Sequence, residues 1–158
     1  MASVKTQGSE LYFVDVLTSS VPAVVKLNCP TGITGLGGPA DQIDTTCLDA
    51  TERGFVRGLG NPGQVSVPFN LDPGASSHQI LFDLQESGEN LDWLIGLSDG
   101  SAAPTLTSGD QLVHPAARTS IIFNGYVADV NLDIATNEIV RGTLTIQRSG
   151  PLDISWKP

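Results

Sequence analysis

The sequence predicts an all-β fold, a β-sandwich or barrel, with one flanking helix. Glycine and proline are plentiful, at 17 and 10 of 158 residues. Between them lie short runs rich in branched and aromatic residues, which is typical of β-strands joined by many turns. Only one segment has the apolar spacing of a helix. The length indicates a single domain over residues 1–158.

Three strands are predicted in the first half of the chain. Residues 10–17 (ELYFVDVL) and 23–28 (AVVKLN) are rich in β-favouring residues and are separated by a Ser-Ser-Val-Pro break. Residues 64–71 alternate most clearly between apolar and polar side chains. Pro68 within this run cannot donate to a strand partner, so it indicates an edge or a bulge.

A long, glycine-rich segment, residues 31–62, separates the second strand from the third. A segment this long in a compact domain is usually functional or disordered. Residues 42–48 are its best strand candidate, and two such pieces would make it an extended hairpin. Because ordering a long segment costs conformational entropy, we expect it to contact a partner.

One helix is predicted at residues 75–87. Its apolar residues recur on one face: Ile80, Leu81 and Leu84. Ser76, followed three residues later by Gln79, predicts a capping box at its start. Gly88 is placed to end it.

The second half returns to strands. Residues 91–97 alternate, with Trp93 on the apolar side, and residues 101–116 are predicted to be a loop. Residues 119–134 are predicted to form a long strand or a bent pair. The alternation changes phase near Gly125, which predicts a bulge there. The apolar face is formed before it by Ile121 and Phe123, and after it by Tyr126, Ala128, Val130, Leu132 and Ile134. Residues 152–156 could add an edge strand.

Residues 139–147 are expected to pair with the preceding long strand across a short turn. Placing Ile134 opposite Val140 puts Asp133 opposite Arg141. The same register puts Asn131 opposite Thr143, and such cross-strand pairs help to fix it.

Charge and composition exclude several classes of function. The net charge is −9, with 17 acids against 8 bases, so the surface should repel nucleic acid and sequence-specific binding is not expected. No apolar run approaches the roughly 20 residues that span a bilayer, and no signal-peptide core is visible. Cys29 and Cys47 are therefore expected to be reduced in a cytosol.

The sequence predicts no enzyme, cofactor or metal site. His78 and His114 lie far apart, and packing or solvated roles are expected for both. Neither a Gly-x-Ser-x-Gly nucleophile motif nor a Gly-x-x-x-x-Gly-Lys phosphate loop is present.

Acidic residues crowd the long segment and leave an alternative open. They are Asp41, Asp44, Asp49 and Glu52. Carboxylates can bind calcium, but this spacing lacks the EF-hand pattern. A monomeric β-sandwich binding module for carbohydrate or calcium remains the alternative function.

The same segment holds a candidate subunit interface. Arginine and aromatic residues alternate beside the acids, and both types are enriched at interfaces. The other interpretation is that the arginines neutralise the neighbouring acids. The interface candidates are Asp41, Asp44, Glu52, Arg53, Phe55 and Arg57.

Several motifs in order resemble the major tail tube proteins of long-tailed phages. The resemblance covers about residues 32–150. It is carried by DQIDTTCLDATERGFVRGLGNPGQVSVPFNLDP, SHQILFDLQESGE, DWLIGLSDG, FNGYVADV and IVRGTLTIQRSG. It implies a structural protein whose six copies close into a ring, with rings stacking into a hollow tube that passes DNA.

The resemblance also implies partners and roles. Residues 31–62 would pack on neighbouring copies, and other tail proteins, such as the tape measure and the terminator, would be partners, with no membrane involved. The protein would be made in the host cytoplasm and reside in the virion. Since the chain stops at Pro158, the C-terminal immunoglobulin-like domain of some members is expected to be absent. An acidic lumen would let DNA slide, and its candidates are Asp129, Asn131 and Asp133.

Overall fold

The computed structural model describes residues 3–18 and 20–158. The strands of its main sheet are β1 (Glu10–Asp15), β2 (Ala23–Lys26), β5 (Gln64–Asn70), β6 (Leu91–Gly96), β9 (Ser120–Asp133) and β10 (Arg141–Ser155). Two hairpins lie outside it: β3 (Ala40–Asp44) with β4 (Phe55–Gly60), and β7 (Thr105–Leu106) with β8 (Leu112–Val113). The helix is α1 (Ser76–Ser87).

The main sheet has six strands in the order β2-β1-β6-β9-β10-β5, and every neighbouring pair is antiparallel. It is curled, with α1 packed on one face. The predicted mainly β fold with one helix is confirmed.

Helix α1 buries the face that the sequence predicted, formed by Ile80, Leu81 and Leu84. Gly88 ends it as predicted, with φ +67° and its N–H donating to the Leu84 carbonyl. The predicted capping box is wrong. The N-cap is Ala75, which has no oxygen in its side chain, and Gln79 instead donates Nε2 to the Pro73 carbonyl at 2.9 Å.

His78 fixes the start of the helix to the sheet. It is buried, and its Nε2 lies 2.7 Å from the Asn28 carbonyl oxygen. Its Nδ1 accepts a hydrogen bond from the Asp72 amide at 3.1 Å, and its ring packs against that of Phe69 in a tilted arrangement, with 4.7 Å between the centroids. Of the packing and solvated roles that the sequence left open, His78 has the packing role.

The main core lies between the helix and the sheet. Trp93 is fully buried there, as predicted, with its ring centroid 5.3 Å from that of Phe13. Its Nε1 donates to the Gly125 carbonyl at 3.2 Å, so the one polar atom of the indole is satisfied.

A smaller core covers the opposite face of the sheet. It contains Tyr12, Val14 and Leu94, and it is closed by Leu112 of the β7–β8 hairpin. The prediction of a plain loop at residues 101–116 is therefore wrong. That segment has too few apolar residues to show an alternating pattern, so only packing reveals its strands.

The β9–β10 hairpin has the predicted register, with Asp133 opposite Arg141 and Asn131 opposite Thr143. The predicted bulge at Gly125 is wrong, because the register shifts at Ala128 instead. Gly125 is needed for another reason. A Cβ there would lie 2.5 Å from the Gln147 carbonyl oxygen.

Strand β10 joins two segments that the sequence separated. Residues 139–147 and 152–156 were predicted as different strands, but β10 runs from Arg141 to Ser155. A second register shift falls between Ser149 and Asp153, where Gly150 has φ +85°. The end of the chain thus extends the hairpin along the start of β9 and is not a separate strand.

Pro68 lies at a sheet edge, as predicted. Strand β5 is the last strand of the sheet. The backbone N–H and C=O groups of its even-numbered residues point away from β10. Residues 30–34 lie along this edge. There Ser66 and Thr34 exchange two bonds of 2.9 Å, and the Pro68 carbonyl accepts from the Thr31 amide at 2.8 Å. The missing proline N–H therefore breaks no bond to β10.

Candidate assembly interface

The long segment forms a projecting hairpin, here named the arm (residues 37–60). In it Gln42 pairs with Arg57, and Ile43 pairs with Val56. The predicted extended hairpin is confirmed. Its first strand, predicted at residues 42–48, ends earlier, at Asp44, because the chain turns there.

Hydrogen bonds close the tip of the arm. The Thr45 amide donates to the Gly54 carbonyl at 2.9 Å, and the Gly54 amide donates to Thr46 Oγ1 at 3.1 Å. The hydroxyl and the backbone amide of Thr46 hydrogen-bond to Asp44 and lower the pKa of its carboxyl. The tip is therefore a defined turn.

Large apolar side chains cover the arm, and all of them are exposed. They are Ile43, Leu48, Phe55, Val56 and Leu59. Leu48 is fully exposed, and Leu59 is 85% exposed. A concentration of exposed apolar side chains on one segment favours a protein–protein contact.

The arm touches the rest of the molecule mainly at its root. β3 and β4 pack on each other and scarcely on other elements. At the root, the Asn61 amide donates to the Pro39 carbonyl at 2.9 Å. Nη1 of Arg148, a residue that sequence reasoning missed, donates to the Gly37 carbonyl at 3.0 Å. The body of the same chain therefore does not cover the apolar side chains of the arm.

The charges of the arm are unpaired. Among residues 3–18 and 20–158, the ion pairs are Lys26–Glu10, Arg118–Glu10 and His114–Asp153. Arg53 and Arg57 therefore do not neutralise neighbouring acids by direct contact. Nor do three or more potential metal ligands come together in this part of the chain.

The candidate lumen residues Asp129, Asn131 and Asp133 are exposed on β9. They alternate with the buried Val130, and Asp129 Oδ1 accepts a 3.4 Å hydrogen bond from Gln85 Nε2. Strand β6 pairs only with the first six residues of β9. Among the described residues, the later part of β9 has no strand partner on that side.

Exposed apolar residues also mark this end of the hairpin. They are Tyr126, Leu132, Ile134 and Ile139. The sequence placed Tyr126 on the same apolar face as Val130, but the bulge at Ala128 turns it to the other side. These residues, like the apolar ones of the arm other than Phe55, were not among the predicted interface candidates.

His114 lies between a serine and an aspartate. Its Nδ1 is 2.6 Å from Ser120 Oγ, and its Nε2 is 3.1 Å from Asp153 Oδ2. Ser120 is fully buried, so its hydroxyl is closed to a substrate. These contacts link β10 to β9.

Within the described chain, no helix is long and apolar enough to cross a membrane.

Comparison with known proteins decides the family. Residues 2–158 match the model of the family described as "Phage tail tube, TTP, lambda-like". This chain belongs to that family. The resemblance seen in the sequence is confirmed, and the tail tube protein is a structural subunit of the phage tail, present in the virion.

A relative and two solved structures agree with the family. Structural protein 3 of Pseudomonas phage PAJU2 is 38% identical over 151 residues, covering 93% of this chain and 90% of that protein. The SPP1 tail tube has a TM-score of 0.68 at 11% identity, covering 98% of this chain and 80% of that chain. A gene transfer agent tail, refined with C6 symmetry, gives 0.67 at 10% identity, covering 98% and 100%. Both structures share the fold of this tail tube protein.

Proposed function

We propose that this tail tube protein assembles into stacked rings of six copies and that the arm is the main contact between neighbouring copies. The main support for the proposal is the arm, because it presents five large exposed apolar side chains that the rest of the same chain does not cover. The sixfold symmetry of the gene transfer agent tail, which shares the fold, supports the ring size. Head-to-tail contacts that close on themselves give such rings.

Strand edges supply a second contact. The later part of β9 lacks a partner on one side among the described residues, and β2 is the first strand of the sheet. An exposed strand edge is a template for pairing with another chain. Pairing between copies would join the sheets into one continuous wall around the channel.

The channel passes DNA without binding its sequence. The net charge of −9 disfavours adhesion of a polyanion. Asp129, Asn131 and Asp133 form an exposed polar row on β9, and we place this row on the lumen wall.

The remaining assignments follow from this role. Residues 1–158 act as one domain that is made in the host cytoplasm and joins the tail. The tape measure and terminator are its further partners. No observation favours the alternative, a monomeric module for carbohydrate or calcium.

Electron microscopy of the purified chain tests the proposal. The full chain should form rings or tubes. A variant whose residues 37–60 are replaced by a short Gly-Ser linker should stay folded and monomeric. A full chain that is monomeric at every concentration would overturn the proposed function. Normal tubes from the trimmed chain would show that the arm is not the main contact.

A further inference from the structure

Arg148 is a buried arginine with only part of its guanidinium satisfied. Its side chain lies at the root of the arm, and the residue is only 6% exposed. Nη1 donates to the carbonyls of Leu36 and Gly37 at 2.8 and 3.0 Å. Nε is buried without a hydrogen-bond partner, and Nη2 has none among the described residues. Nη2 is therefore the donor of the guanidinium that a ligand can reach, whereas the unsatisfied Nε lies beneath the surface beside it.

The charge of Arg148 is also unbalanced. It is absent from the three ion pairs of the described chain. A buried charge without a counter-ion is costly. A carboxylate suits the free Nη2, because it accepts a charge-assisted hydrogen bond and supplies the missing counter-ion.

A pocket at this position has room for such a group. Its volume is about 650 Å³, and both Arg148 and Arg57 line it. No acidic side chain of the described residues lines it. Gly60 and Gly150 leave open space on its wall, since a Cβ at either position would meet nothing within 4 Å. Because two cations and no anion line the pocket, its charge favours binding of a carboxylate from outside this chain.

We propose that the pocket binds a carboxylate from the arm tip, Asp49 or Glu52, of a neighbouring copy. The inference rests on the proposed function and names the partner of the arm. Both acids are exposed in the turn that joins β3 to β4, beyond the last strand pair of the arm. Neither accepts a side-chain hydrogen bond among the described residues, whereas Asp44 is already held by Thr46. A contact from tip to root uses two different surfaces, so it repeats from copy to copy.

Cross-linking of assembled tubes tests the contact directly. In Arg148→Lys the charge is retained, and a carbodiimide can join the new amine to a carboxylate that touches it. We expect mass spectrometry to find the side chain at position 148 of this variant linked to Asp49 or Glu52. A mixture of isotopically light and heavy subunits shows that the link is between chains. The Lys26–Glu10 pair, at 2.8 Å, is the internal positive control.

Neutral variants of the tip test the energetics without touching the pocket. Asp49→Asn with Glu52→Gln should raise the protein concentration needed for tubes by at least about tenfold, since an unpaired buried charge remains. The matched control is Asp83→Asn with Glu86→Gln, two exposed acids on α1 with the same change in charge. It should change that concentration by less than about twofold.

The outcomes separate this inference from the proposed function. If the tip variant forms tubes as well as wild type does, the pocket contact is wrong and the proposed function still holds. The same conclusion follows if position 148 is cross-linked only to carboxylates other than Asp49 and Glu52. A full chain without tubes overturns the proposed function instead. Circular dichroism checks that Arg148→Lys is folded. If it is not, the tip variant decides alone, because its substitutions lie on an exposed turn.

Discussion

The fully buried guanidinium of Arg118 donates to the carboxylate of Glu10, with 3.0 Å between Nη1 and Oε2. Its other bonds go to backbone carbonyls between 2.7 and 3.3 Å away, those of Gly8, Gly96, Leu97 and Ala102. This arginine therefore joins the start of β1, the end of β6 and the following loop. It is the internally satisfied counterpart of Arg148.

Replacing Arg118 should destabilise the fold strongly. In Arg118→Met the buried carbonyls lose their donors and Glu10 loses a charge partner, so we expect a loss of about 3–5 kcal/mol in the free energy of unfolding. Urea unfolding measures it. Arg53→Met, an exposed arginine on the arm, is the control and should stay within about 0.5 kcal/mol. Equal losses in both variants would contradict the role of Arg118.

The position of the Arg118 side chain explains why residue 96 is a glycine. A Cβ at Gly96 would lie 2.5 Å from Cζ of Arg118. Gly96→Ala should therefore cost about 1–3 kcal/mol through overpacking. At Gly60 a Cβ would meet nothing within 4 Å, so Gly60→Ala is the matched control and should be nearly neutral. Thermal and urea unfolding compare the two variants, and a neutral Gly96→Ala would refute the close contact.

Glu10 should make stability depend on pH in the acid range. Burial alone would raise its pKa, but hydrogen bonds from Lys26, Tyr12 and Arg118 outweigh burial and hold that pKa at about 2, below the usual 4.5. Because the folded pKa is the lower one, the contribution of Glu10 to stability is complete above pH 4.5 and is lost as pH falls towards 2.

The variant Glu10→Gln removes this dependence. We expect lower stability than wild type at neutral pH and a shallower decline between pH 4.5 and 2. Urea unfolding at a series of pH values measures both. Parallel curves across that window would show that Glu10 does not titrate as described.

The apolar surface of the arm should be needed for assembly but not for folding. Leu48→Ser with Leu59→Ser removes two of its most exposed apolar side chains, so tube formation should fail or need at least about tenfold more protein. The thermal midpoint should not change, because neither side chain is packed. Val4→Ser, at an exposed apolar residue outside the arm, is the control. Electron microscopy and light scattering provide the measurement, and unimpaired tubes would exclude this surface from the interface.

Charge reversal should reveal which face lines the channel. In tubes that carry Asp129→Lys with Asp133→Lys, a lumen position for these residues predicts that DNA is retained, since the wall now attracts phosphate. Retention should fall as salt rises. Gel analysis of DNA bound to washed tubes measures it. Variant tubes that retain DNA no better than wild type would place this face elsewhere.

Much of the fold could be predicted from the sequence. The alternation of Val65, Val67 and Phe69 identified a half-buried strand, and the spacing of Ile80, Leu81 and Leu84 identified the buried face of the helix. Such patterns repeat with the period of the secondary structure itself, so a short stretch of sequence is enough to predict the strand or helix.

Features without a local pattern could not be predicted. The bulge was assigned to Gly125, where a glycine suggests one, although the register shifts at Ala128. The β7–β8 hairpin gave no periodic signal, and only its packing under Tyr12 and Leu94 shows why it is ordered. The capping box failed because a short sequence motif does not fix which side chain reaches the helix terminus.

The candidate interface divides in the same way. The sequence by itself determined that residues 31–62 form a long, glycine-rich segment crowded with charges and, through the order of its motifs, the family. Only the tertiary structure decided that the apolar side chains of the arm are left uncovered and that Arg148 lies buried beside Leu36 and Gly37. Exposure and hydrogen-bond satisfaction depend on residues more than a hundred positions apart, and no local pattern records those contacts.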